Sequence, residues 1–111
     1  MKNHKMQLFR QGDVLIARIP ALPSKLKKLN REDGKVILAH GEVTGHAHAI
    51  IDEHADLYAS EKEAGVTFLE VRDAMAALKH EEHATIELPP GAYRVVRQRE
   101  YSPEAIRNVA D

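Results

Sequence analysis

The chain has 111 residues, 43 % of them hydrophobic and 30 % charged, with a formal net charge of -1. That length suits a single domain over 1–111, since two cores of half the size would each bury too little surface without staples, and the composition is that of a folded chain, not a disordered one. The small charge gives no global field for a polyanion, and the absence of cysteine removes disulfides, thiolate metal sites and cysteine nucleophiles together.

In chain order, GDVLIARI opens with Gly12 and Asp13 as punctuation, followed by a β-forming run from Val14 to Ile19 that Pro20 ends. The next stretch, PALPSKLKKLNREDG, reads as an exposed loop with one helical turn around Lys25 to Leu29. KVILAH is a strand, HGEV a turn through Gly41, and Thr44 to Ile51 the next strand. DEHAD is a polar connection, LYAS a short strand, EKEAG a turn and VTFLEV a further strand. DAMAALKHEEH is ambiguous, because Ala, Met, Leu and Lys favour a helix while the length is marginal. ATIEL alternates into the LPPG corner, and AYRVVRQREY is the longest alternating strand. SPEAIRNVAD carries Ser102 as N-cap, Pro103 at the first helical position and Glu104 in the first turn, which predicts a short C-terminal helix. Six or seven strands with frequent turns predict an all-β fold, a small barrel or sandwich, closed by that helix. No apolar run approaches the ~20 residues of a membrane helix, and no apolar stretch follows the N-terminal lysines as a secretory signal requires. A cytoplasmic protein without a membrane partner is expected.

Histidine is the compositional anomaly: six of the seven lie between His40 and His83. His46 and His48 share one face of a strand, roughly 6 to 7 Å apart at the backbone, close enough to reach one ion. Glu53 follows at the strand's end. His80-Glu81-Glu82-His83 offers the second pair, with a spacing that shares a face on a helical turn but not on a single strand. The expected centre therefore takes a divalent cation (zinc, iron, manganese or nickel) through His46, His48 and a histidine of the HEEH segment, His80 or His83. Glu53 or Glu82 would be the fourth ligand or a catalytic base, with positions left open for water or a small polar substrate. The plainer alternative is a solvated strand face and a polar turn. His40 and His54 flank the cluster and fit outer or surface roles.

The stretch G-E-V-T-G-His46-A-His48-A-I-I-D-Glu53 resembles the first metal motif of the cupins, and Pro89-Pro90-Gly91-Ala92-Tyr93-Arg94 is similar to the turn of their second. The resemblance implies a double-stranded β-helix barrel with a divalent metal inside. It also implies a third histidine ligand where this chain has Arg94, which cannot bind a metal but could hold an anionic substrate. The QGDV, GHAH, HEEH and RQREY stretches are together similar to the pattern of an uncharacterised bacterial family.

A second reading uses the last strand. Tyr93, Arg97, Arg99 and Tyr101 share a face by period-2 spacing, and arginines interleaved with aromatic rings suit single-stranded nucleic acid or a protein partner. The net charge speaks against nucleic acid. A homo-oligomer with histidines at its interface is compatible with either reading. No glycine-rich phosphate loop and no nucleophile elbow occurs.

Overall fold

Side chains alternate between inward and outward at every second position in half of the strands that make up the fold, with apolar residues on the inward side. The computed structural model describes residues 7–41, 43 and 45–98. These form ten strands: β1 (Leu8–Gln11), β2 (Val14–Ile19), β3 (Leu26–Lys28), β4 (Val36–His40), β5 (Ala47–Ile50), β6 (Ala55–Ser60), β7 (Thr67–Val71), β8 (Ala76–His80), β9 (His83–Leu88) and β10 (Gly91–Arg97). No helix occurs among the described residues, and none is long and apolar enough to cross a membrane. The helix expected over 102–111 lies outside them.

The strands make two antiparallel sheets, one of order β1-β2-β10-β7-β6-β3 and one of order β4-β5-β8-β9. They pack as two layers without closing into a barrel. Val14, Ile16, Leu69, Val71, Tyr93 and Val95 of the larger sheet meet Val36, Ile50, Ala76, Leu78 and Leu88 of the smaller one in a single apolar cluster. Burying such residues contributes about 1.5–3 kcal/mol each, which suffices to hold two faces together but sets no direction.

One local reading of the sequence is corrected and one open reading is decided. The segment expected as a helical turn around Lys25 is β3, an edge strand paired with β6. The ambiguous segment 74–83 is not helical: Ala76 and Leu78 are fully buried while Lys79 is exposed, a period of two. Helix propensity amounts to a few tenths of a kcal/mol per residue there, and burying Leu78 in the sandwich outweighs it.

Tyr93 is fully buried, stacks edge-on against Phe9 with ring centroids 6.1 Å apart, and donates its hydroxyl to the Pro89 carbonyl. The face of β10 expected to offer Tyr93 for base stacking is therefore a core face. Tyr93→Ala should lower the unfolding free energy by about 3–5 kcal/mol and Tyr93→Phe by about 1 kcal/mol. Urea denaturation of the two variants checks this, and an unchanged midpoint for Tyr93→Ala would contradict it.

Candidate metal centre

The HEEH segment is a hairpin turn. Glu81 and Glu82 join β8 to β9, and His80 pairs with His83 across the ladder. Residues directly opposite in an antiparallel pair project to the same face. A spacing that would splay two rings on one strand thus brings them together, with centroids 4.7 Å apart. A bulge aims the second ring. Leu78 opposes Ile86, so three steps along β9 match two along β8. Without that extra residue His83 would project away from the side taken by Ile86 and Leu88.

β5 supplies the other pair. His48 alternates inward with Ile50 and is only 2 % exposed. Its ring lies 4.3 Å from that of His80 and 6.0 Å from that of His83. His46, just before the strand, stands with its ring 5.9 Å from His80. The four imidazoles line one cavity of about 300 Å³, together with Gly41, Val43 and Glu82, and with Asp13 and Arg97 from the opposing sheet. Asp13 belongs to the two-residue turn between β1 and β2, whose first residue, Gly12, has a φ of +61° as such turns require. Arg97 ends β10.

Burial keeps one member of the cluster, His48, in its neutral form. Burial pushes His48 down to about 4, helped by His80 and opposed by Asp13. Partial burial works to raise the Asp13 carboxyl, but Arg97, whose Nε donates to Asp13 Oδ2 at 2.9 Å, outweighs it and holds that carboxyl below its ordinary value. Asp13 Oδ1 faces His48 Nε2 at 3.7 Å. His48 Nδ1 is bonded to Gln11 Oε1 at 2.9 Å. His80 Nδ1 accepts the Glu82 amide at 3.0 Å, which puts the neutral ring's proton on Nε2, so His80 would exchange that bond for a metal. His46 Nδ1 lies 3.3 Å from Glu82 Oε2 but out of line for a hydrogen bond, and this buried nitrogen has no partner among the described residues. One donor atom each from His46, His80 and Glu81 falls within 4.8 Å of the others. Glu81 also accepts the Ala47 amide at 3.0 Å, which ties the turn to β5.

The fold thus brings His46, His48, His80, His83 and Glu82 into one cavity and leaves other expected residues outside. Glu53 is exposed in the β5–β6 connection and meets Arg72 through its carbonyl, because the chain turns away from the cavity after Ile50. Arg94, between the inward Tyr93 and Val95, projects outward and pairs with Glu63 at 2.9 Å. Arg97 takes the place in the cavity wall expected for Arg94. Arg99 and Tyr101 lie outside the described residues. His40 pairs with Glu32 at 3.3 Å, and His54 bonds the Met75 carbonyl at 2.9 Å, both away from the cavity. Gln11 and Asp13 carried no signal beyond the Gly-Asp turn beside a strand, since nothing local in QGD announces a partner 35 residues on.

Residues 10–98 match the family described as Domain of unknown function (DUF8820), and the chain belongs to that family. No curated protein and no solved structure is significantly similar to it.

Two outcomes follow from this geometry. In metal-stripped protein the unfolded chain takes up a proton at His48 near 6.5 and the folded protein only near 4. Stability at this residue is therefore complete above about 6.5 and falls as the pH drops towards 4, by on the order of 3 kcal/mol. NMR titration of the His48 ring should give a midpoint near 4, and one near 6.5 would contradict the burial account. Gly12→Ala would place a methyl 2.7 Å from His83 Nε2 at a positive φ. It should cost about 1–3 kcal/mol and shift the His83 resonances, which thermal unfolding and NMR spectra of the variant would register.

Proposed function

We propose that this protein is a metal-binding β-sandwich whose histidine cavity takes a first-row divalent cation. The observation that supports this reading most is the convergence of four imidazoles from β5, the loop before it and the β8–β9 hairpin on one cavity, with a buried His46 nitrogen that has no hydrogen-bond partner among the described residues. A buried polar atom without a partner costs about 1–3 kcal/mol, and a cation would remove that cost. Neutral imidazoles with carboxylates at the rim are the donor set of zinc, iron, manganese and nickel. His46, His48, His80 and His83 are the nitrogen donors on offer, with Glu82 beside them as ligand or base.

The same arrangement suits catalysis on a small molecule. The cation would polarise a carbonyl or acidify water at the mouth of the cavity. Glu82, whose carboxylate is more than half exposed and 3.3 Å from His46, is in position to hold or pass a proton there. Arg97 in the wall, a quarter exposed, would meet an anionic group of the substrate. Use of β10 as a nucleic-acid platform finds no such support, because Tyr93 is in the core and Arg97 is engaged by Asp13.

The test is zinc titration of protein purified without a histidine tag, in competition with a chromophoric chelator. Uptake with micromolar affinity or better is expected, weakened at least ~10-fold in His48→Ala and in His80→Ala. Wild-type protein that takes up no zinc, cobalt, nickel, manganese or iron(II) at micromolar concentration would end the metal reading.

A further inference from the structure

Gln11 is the one buried polar residue of β1, 2 % exposed, and its amide is fully used. Its Nε2 donates one hydrogen to the Leu78 carbonyl at 3.0 Å and the other to the Ala84 carbonyl at 2.9 Å. That leaves Oε1 as an acceptor facing His48 Nδ1 at 2.9 Å. Turning the amide over would set Oε1 against two carbonyl oxygens, so its orientation is determined by its surroundings. His48 must then donate from Nδ1, and the neutral ring carries its lone pair on Nε2.

That lone pair faces Asp13 Oδ1 at 3.7 Å. The other Asp13 oxygen is occupied by Arg97 Nε. Two acceptors therefore stand opposite each other at the cavity wall with no proton between them, an arrangement that only a cation or a bridging donor relieves. A tetrahedral ion with arms of about 2.1 Å holds neighbouring donors about 3.4 Å apart, close to the separation found here. A ligating imidazole whose second nitrogen donates to a carbonyl oxygen is also the usual outer arrangement of a metal-bound histidine.

We propose that Asp13 is a carboxylate ligand of the centre, acting with His48 Nε2, and that Gln11 is the positioning residue that fixes the His48 tautomer. This rests on the metal reading above and extends it to the opposing sheet: the cation would bridge the β1–β2 turn to β5 and so join the two layers. Arg97 keeps the Asp13 carboxylate ionised and oriented without touching the ion.

Cobalt(II) is the probe, because its visible bands report both affinity and ligand geometry. Wild-type protein should bind it, and Asp13→Asn should bind at least tenfold more weakly with an altered spectrum, while circular dichroism shows both folded. Nitrogen-15 NMR of the metal-free wild type should show His48 protonated at Nδ1 and bare at Nε2. Gln11→Met, if folded, should give a mixture of tautomers and a tenfold to hundredfold loss of cobalt affinity. Cobalt binding of unchanged strength and spectrum in Asp13→Asn overturns the ligand assignment while leaving the metal reading intact. A proton on Nε2 of wild-type His48 overturns the role of Gln11. A wild type that binds no cobalt and shows the predicted tautomer would overturn the metal reading, and the ligand assignment with it.

Discussion

A single buried amide links the two layers at the end of the sandwich where the cavity lies. Gln11 belongs to the six-stranded sheet, and its three partners, Leu78, Ala84 and His48, belong to the four-stranded one. The apolar cluster between the sheets is strong but non-directional, and by itself tolerates small slides of one layer over the other. A buried amide with directional partners does not. Leaving any of those groups unpaired would cost about 1–3 kcal/mol, so the bonds define the lateral position of β1 against β8 and β9. The position of Asp13 relative to His48 follows from that, because Asp13 is only two residues away in a tight turn.

The β9 bulge takes part in the same constraint. The ladder shifts between Leu78 and His80, and the Ala84 carbonyl, inside the irregular stretch, is one that Gln11 captures. The bulge therefore both brings His83 to the cavity and leaves a backbone acceptor for the amide that orients His48. One departure from regular pairing serves two of the four imidazoles, consistent with the frequency of bulges beside functional sites.

Much of this was legible in the chain and some was not, for identifiable reasons. β-forming apolar runs marked β2, β4 and β7, and alternation marked β10, since half-buried strands impose a period of two on composition. The clustering of histidines was visible in GHAH and HEEH, but the geometry of the second pair was not. A spacing of three says nothing about a turn falling inside it, and helix-favouring Ala, Met and Leu masked a strand whose burial comes from the opposing sheet. The face of β10 misled in the opposite way: Tyr93 and Arg97 alternate as on an exposed platform, yet Tyr93 packs against Phe9 from β1 and Arg97 reaches Asp13. Long-range pairings such as Gln11 with His48, and Asp13 with Arg97 at 84 residues' separation, leave no local trace.

Packing four imidazoles around one space is a poor choice if stability is the only criterion. Burial of His48, with His80 beside it, disfavours the charged form of that ring, so acid takes stability away, and the cluster gains little from apolar transfer. Leu or Val at position 48 would fill the same inward position of β5 without needing Gln11 at all, and the buried amide would then be unnecessary too. The chain instead carries a matched polar set, Gln11, Asp13, His48 and Arg97, each oriented by the next. Such a set conflicts with simple core packing, and conflicts of that kind concentrate where a fold serves chemistry. The neutral state that burial enforces on His48 is also the state in which an imidazole is a ligand, so the feature that weakens the fold in acid is the one the proposed cation would need near neutral pH.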